Sequence, residues 1–263
     1  MTTLLCISDT HIGSTVAVRK PEFELDDGDT TFASPGQRWL WDRLLEVANK
    51  AKKYKPILVL NGDIAEGDFK NRSYQMITRN KATIKSLAVD TLDPLCKIAK
   101  KIYVVRGTPA HVGKSAHLEE EIAKDFGAEG PSEKVYSHWY LPLMIDNIQV
   151  DIAHHTTAGG KPFSAASAAN RTADRVMQEY LREREPLPHL VLRSHVHLWS
   201  DSYDLFPIRA IHLPAFTFAT EFVNRIAPGT IADIGAVMVH ISGNKYEVEK
   251  IQFKPEGRKW VRP

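Results

Sequence analysis

An apolar run that begins at Leu190 ends abruptly in Arg193-Ser194-His195-Val196-His197. Branched residues in such a run pattern as a buried strand, and side chains at i and i+2 of an extended segment point the same way. His195 and His197 are therefore expected to present two imidazoles to one point just beyond the strand, which is metal-ligand geometry. One His-x-His is a weak signal, because a surface or core pair is the commoner explanation. The rest of the chain repeats the arrangement. Asp9 and His11 follow the run Thr3–Ser8, Asp63 follows Ile57–Leu60, His111 follows Ile102–Val105, and His154 follows Ile148–Ala153. Ligands of open α/β sheets bind beyond the carboxyl ends of the strands, so these five ends are expected to converge on one pocket. Singly each has a bland explanation, Asp63 as a turn residue after Gly62 and His154 or His155 as a hydrogen-bonded core histidine. Five at the same topological place outweigh it.

The elements that must position these residues follow from periodicity and punctuation. Trp39–Lys53 has helical periodicity, and a helix-rich stretch runs from about Tyr74 to Lys101 with a break near Asp93-Pro94. Ser115 is placed to cap a helix from Ala116 to about Phe126, whose first turn carries Glu119 and Glu120 as the helix dipole prefers. Ser164 to about Glu185 is also helical. Val135–Leu143 and Ile148–Ala153 read as strands separated by Asp146-Asn147, Ala210–Phe218 as another, and Gly235–Phe253 as a hairpin turning at Ser242-Gly243-Asn244. The polar stretch Ser14–Gln37, with Asp26-Asp27-Gly28-Asp29, does not fit the spacing of a calcium-binding hand and is expected to be a solvated loop over the site.

No internal repeat, low-complexity tract or linker divides the chain, so residues 1–263 are expected to form a single α/β domain. Hydrophobic content of 43% and charged content of 25% are those of an ordinary globular protein. A net charge of +2 does not decide for or against nucleic acid, since a local basic stripe can hide in the total. Cys6 and Cys96 are too few for a disulfide framework or a cysteine-rich zinc site, which points to a reducing compartment, the cytoplasm. No apolar run approaches membrane-spanning length, and a strand that begins at Thr3 leaves no space for a secretory signal.

The order and spelling of the motifs resemble the calcineurin-like metallophosphoesterase superfamily, whose motifs run Asp-x-His, Gly-Asp, Gly-Asn-His, His and Gly-His-x-His. Here they stand as Asp9-Thr10-His11, Gly62-Asp63, Gly107-Thr108-Pro109-Ala110-His111, His154, and Ser194-His195-Val196-His197. The resemblance implies a two-sheet β-sandwich flanked by helices, with two divalent metal ions at the sheet edge; manganese ranks first, with iron, zinc and magnesium as alternatives. It makes Asp9, His11 and His197 ligands of one ion, His154 and His195 ligands of the other, and Asp63 the bridge. Two ions roughly 3.5 to 4 Å apart can share a hydroxide that attacks phosphorus in line. His111 matches the histidine that protonates the leaving group. Two departures stand out: Thr108 replaces the metal-binding Asn, with Pro109 and Ala110 inserted before the histidine, and Ser194 replaces Gly in the fifth motif. His155 rivals His154 as the ligand, and His154 ranks first because the family's ligand comes directly off the strand.

Asp9-Thr10-His11-Ile12-Gly13 is also similar to the first motif of the superfamily's DNA double-strand-break repair nucleases, whereas Gly107-Thr-Pro-Ala-His111 looks more like the compact phosphoesterases of bacteriophage genomes. Lys161 and Arg171, with Arg193 and Arg225, are candidate phosphate contacts, and each is equally readable as a solvated face charge. Gly159-Gly160-Lys161 is not a nucleoside-triphosphate loop, because its flanking spacing and Pro162 are wrong. The expectation is a metal-dependent phosphoric ester hydrolase acting on phosphodiesters of nucleic acid or a nucleotide, with no membrane partner. Two alternatives stay open, a phosphomonoesterase acting on a small phosphate or a phosphoprotein, and a non-catalytic member that binds a partner through the same sandwich.

Overall fold

The computed structural model describes residues 1–71, 73–156 and 165–256. The first strand, β1 (Thr2–Ile7), alternates its apolar side chains between two faces, and so do its parallel neighbours β4 (Ile57–Asn61) and β5 (Lys101–Val105). The short β6 (Ser137–His138) extends this sheet on one side, and the antiparallel hairpin β12 (Ile234–Ser242) and β13 (Lys245–Phe253) on the other, giving the order β13-β12-β1-β4-β5-β6. A second sheet has the order β10-β11-β9-β8-β7, from β7 (Leu141–Ile145), β8 (Ile148–Ile152), β9 (Leu190–Arg193), β10 (Ser200–Asp201) and β11 (Arg209–His212).

The alternation explains the layers. Leu4, Cys6, Val59 and Val237 of the first sheet meet Val150, Ile152, Leu192 and Ile211 of the second in a core between the two. Leu5, Ile7, Leu58 and Leu60 face the other way, onto α1 (Pro35–Lys52), α2 (Lys81–Cys96) and α4 (His117–Asp125). Val191 and Ala210 on the far side of the second sheet pack against Ala173 and Val176 of α5 (Ala165–Glu183). The result is a two-sheet sandwich flanked by helices, the architecture that the sequence resemblance implies. Among the described residues no helix is long and apolar enough to cross a membrane.

Several elements differ from expectation for identifiable reasons. The stretch Val135–Leu143 is not one strand: Ser137 and His138 pair with Val104 and Val105 in the first sheet, whereas Leu141 onward pairs with β8 in the second. β11 stops at His212 instead of running to Phe218, just short of Pro214, which has no N–H for a ladder. The freed segment turns toward the site, where the Phe216 N–H donates to the Asp9 carbonyl. α2 begins only after Asn80, whose side chain caps it by accepting from the N–H groups of Ala82 and Thr83, and it runs through Pro94 to Cys96 instead of breaking there. Ser115 and Ala116 are left-handed, so Ser115 does not cap α4. The loop before α1 contains the ribbon β2 (Glu22–Glu24) and β3 (Thr30–Phe32), and Asp26 at its tip accepts from Asn80 and Thr83, which ties it to the start of α2.

Candidate metal centre

Five strands of the sandwich, β1, β4, β5, β8 and β9, deliver the chemistry-bearing residues to one edge. The backbone that carries them is unusual. Asp9, His11, Asp63, His195 and His197 all have positive φ, between 42° and 76°. L-residues hold this region at a cost of about 1–3 kcal/mol each, and such strain concentrates where function requires it. The same geometry corrects the expectation drawn from the extended i, i+2 pattern. His195 and His197 lie beyond the end of β9 in left-handed conformations, and their rings serve two different clusters.

In the first cluster the Nε2 atoms of His11 and His197 are 3.3 Å apart, and Asp9 Oδ1 lies 3.2 Å from His197 Nε2 and 4.0 Å from His11 Nε2. In the second, His154 Nε2 is 3.0 Å from Asp63 Oδ2, and His195 Nδ1 is 3.8 Å from the same oxygen. The clusters adjoin, since Asp9 Oδ1 is also 4.0 Å from His154 Nε2. Asp9 Oδ2 accepts from the Ser8 hydroxyl and the His195 N–H, but Oδ1, fully buried, has no hydrogen-bond donor. An orphaned buried carboxylate oxygen surrounded by imidazole nitrogens is costly in apolar surroundings and suited to a cation.

The ring tautomers agree. His154 Nδ1 donates to the Asn61 carbonyl at 2.7 Å, and His11 Nδ1 faces Glu66 Oε2 at 3.3 Å, so in both rings Nε2 is the nitrogen turned into the cluster. Asp9 and Asp63 are held below the usual carboxylate range: burial opposes ionisation, and the neighbouring imidazoles outweigh it. Burial likewise works against a charged His154, but Asp63 and Asp9 beside it push its proton affinity up to about 10. A divalent cation bound here must displace that proton, so its affinity is expected to rise with pH. Mixed imidazole and carboxylate donors of this kind suit a pair of divalent cations.

The motif glycines are required by close approach. A Cβ at Gly62, which has φ +79°, would lie 2.3 Å from His154 Nδ1, and one at Gly107 would lie 2.2 Å from the Asp63 nitrogen. The departures from the family spelling also have local explanations. The Ser194 hydroxyl accepts from Asn61 Nδ2 at 2.5 Å, tying the end of β4 to the end of β9. Thr108 grips the Asp63 carboxylate twice, its N–H donating to Oδ1 at 2.6 Å and its hydroxyl to Oδ2 at 3.0 Å. Pro109 and Ala110 start a short helix, α3 (Pro109–Val112), which carries His111 outward to a position where its side chain is 31% exposed.

His111 meets a residue that the sequence reading did not single out. Glu66 Oε2 lies 2.5 Å from His111 Nδ1 while also facing His11, so one buried carboxylate orients two imidazoles. Burial works against a charged His111, and the bond to Glu66, with Asp63 and Asp9 nearby, raises it to about 9. Glu66 itself falls to about 2 against the opposing effect of burial. The only sequence signal was an acid placed three positions past Asp63 at the same strand end.

Glu119 is a first-turn acid of α4, as expected, but its carboxylate is turned inward. It is fully buried and accepts from the N–H groups of Ile64 and Gly107, bracing the loops after β4 and β5 against each other. Burial first, then the charge of Asp63, raises its carboxyl from 4.5 to about 7. Glu119→Ala should therefore strand two buried donors, at about 1–3 kcal/mol for each. A raised acid stabilises the fold most below its unfolded value and loses that contribution as pH climbs through its folded value. The destabilisation read from urea midpoints should thus be larger at pH 5 than at pH 8, and a difference that widens with pH would contradict this assignment.

The basic candidates fare differently. Lys161 lies outside the described residues. Arg171 is on the exposed side of α5 and donates to Ser167. Arg193 is buried and paired with Asp151 at 2.7 Å, a carboxylate that also accepts from Tyr140 and Tyr180, so it braces the second sheet and is not available to substrate. Arg225 is exposed on α6 (Glu221–Ile226).

No protein-family model matches the chain, nor does any curated protein sequence. Solved structures with a similar fold include a dimetal phosphatase from Danio rerio (10% identity, TM-score 0.48, covering 95% of each chain). They also include a Vps29 from Entamoeba histolytica complexed with zinc (11% identity, TM-score 0.44, 96% of this chain and 100% of that one). A third is a 5'-nucleotidase from Candida albicans (9% identity, TM-score 0.47, 96% of this chain and 51% of that one).

Proposed function

We propose that this protein is a metal-dependent phosphoesterase that hydrolyses phosphodiesters of nucleic acid or of a nucleotide. The observation that carries the reading is the buried, donorless Asp9 Oδ1 at the junction of two adjoining clusters of imidazole and carboxylate. Asp9, His11 and His197 would hold one divalent cation, His154 and His195 the other, and Asp63 would serve both. When bound, such cations supply Lewis acidity toward phosphoryl oxygens and lower the pKa of water in their shell.

The chain's own residues supply the rest. Asp9 and Asp63, kept ionised, balance positive charge at the edge of the sandwich. Glu66 fixes the tautomer of His11 and, through Nδ1, the orientation of His111. His111 thereby keeps a proton on Nε2 at neutral pH for transfer to the departing oxygen. An alkoxide departs from a nucleic-acid diester and needs that proton. Within the superfamily, the Gly107-Thr108-Pro109-Ala110-His111 spelling supports kinship with compact bacteriophage members, and the free thiols of Cys6 and Cys96 support a cytoplasmic setting.

The experiment is a substrate panel on purified protein: bis(nitrophenyl) phosphate, nitrophenyl phosphate, a dinucleotide, and single- and double-stranded DNA, each with manganese, iron, zinc or magnesium and with chelator. Diester turnover that needs metal and is strongest with manganese is expected. Much faster hydrolysis of the monoester would replace this reading with a phosphomonoesterase for a small phosphate or a phosphoprotein. Metal binding without turnover of any substrate would leave a non-catalytic, partner-binding protein.

A further inference from the structure

We infer that His155 completes the second metal site, standing in for the asparagine that Thr108 has displaced, and that it makes this site richer in nitrogen than the first. The inference rests on the phosphoesterase reading only in requiring a second ion. Three imidazoles, from His154, His155 and His195, each offer a ring nitrogen within 4.8 Å of the other two. The His155 ring centroid is 5.0 Å from that of His154 and 5.2 Å from that of His195. Its Nε2 lies 3.4 Å from the Thr108 hydroxyl, which is itself 3.1 Å from His195 Nδ1 and 3.0 Å from Asp63 Oδ2. His155 therefore approaches the cluster from the side where Thr108 stands.

Thr108 does not fill the position itself. Its hydroxyl donates to Asp63 and its backbone N–H holds the other oxygen of the same carboxylate, so it orients the bridge. His155 is the first residue past the ligand that comes off β8, and its side chain is exposed. The second site then presents Asp63 and three imidazoles, whereas the first presents Asp9, Asp63, His11 and His197. Imidazole-rich sites favour zinc, iron or cobalt, and carboxylate-rich sites suit manganese or magnesium. The two positions should accordingly differ in metal preference, with the softer ion beside His155.

The test is titration of metal-stripped protein with cobalt(II), read by visible absorption and by ions bound per chain. Wild type is expected to take two ions per chain. Changes to outer-shell partners alone weaken metals by about 10–100-fold, so His155→Gln should weaken one of the two by at least about tenfold and alter its absorption, with the other ion and the far-ultraviolet dichroism unchanged. Adding Thr108→Asn to His155→Gln should restore the second ion. Two equally tight ions in His155→Gln, or loss of the second ion in Thr108→Ala but not in His155→Gln, would overturn the assignment. One ion per wild-type chain with diester turnover intact would overturn it and leave the functional reading standing. Two tight ions in wild type, one lost in His155→Gln, but no turnover of any phosphate ester would do the reverse.

Discussion

Replacing Asp63 with asparagine is expected to lower metal-dependent turnover by at least about a hundred-fold. Outer-shell groups already contribute about 10–100-fold to metal affinity or activity, and on the proposed reading Asp63 would stand inside that shell, between His154 Nε2 at 3.0 Å and His195 Nδ1 at 3.8 Å. The amide keeps the size of the carboxylate and can still accept from the Thr108 N–H. Folding should therefore change much less than catalysis. The variant should bind fewer ions per chain in metal analysis, and the loss should appear in kcat and persist at saturating manganese. A purified Asp63→Asn protein with near wild-type activity would remove Asp63 from the bridging position.

The second large effect concerns the proton that, on the proposed reading, His111 would deliver to the leaving group. General acid catalysis typically contributes about a hundred- to ten-thousand-fold, and the contribution is large only for poor leaving groups. His111→Asn should therefore slow cleavage of a dinucleotide or DNA far more than cleavage of bis(nitrophenyl) phosphate, because a nitrophenolate departs without help. The pH profile supplies a second readout. His111 is raised to about 9 by Glu66 against the effect of burial, so the acid is present at neutral pH and is lost as pH rises. Nearby cations lower that value, which places the descending limb for the dinucleotide at or below about 9, and the limb should vanish in His111→Asn. Glu66→Gln should shift it downward, since the charge that sustains the proton is gone. Equal losses on both substrates with loss of metal would make His111 a ligand or a support instead.

The layers of the fold and the convergence of five strand ends were legible because both follow from one pattern, short apolar runs that stop at a histidine or aspartate. What the pattern could not carry was backbone handedness. His195 and His197 look like an i, i+2 pair on a strand, and nothing local marks either as left-handed, yet positive φ at both sends one ring to Asp63 and the other to Asp9. Thr108 looked like a defect in the third motif, and only the spatial arrangement shows it gripping the Asp63 carboxylate, with His155 beside it. Glu119 read as a helix-dipole acid, because its two donors, Ile64 and Gly107, are distant in sequence. Glu66 lacked any periodic signal, although it governs two of the histidines that were found.

The most direct test of the account is an anomalous difference map from crystals of the manganese-loaded protein. Two peaks are expected at the edge of the sandwich, one against Asp9, His11 and His197 and the other against His154 and His195, with the Asp63 carboxylate touching both. A single peak, or two peaks of which neither touches Asp63, would contradict the account.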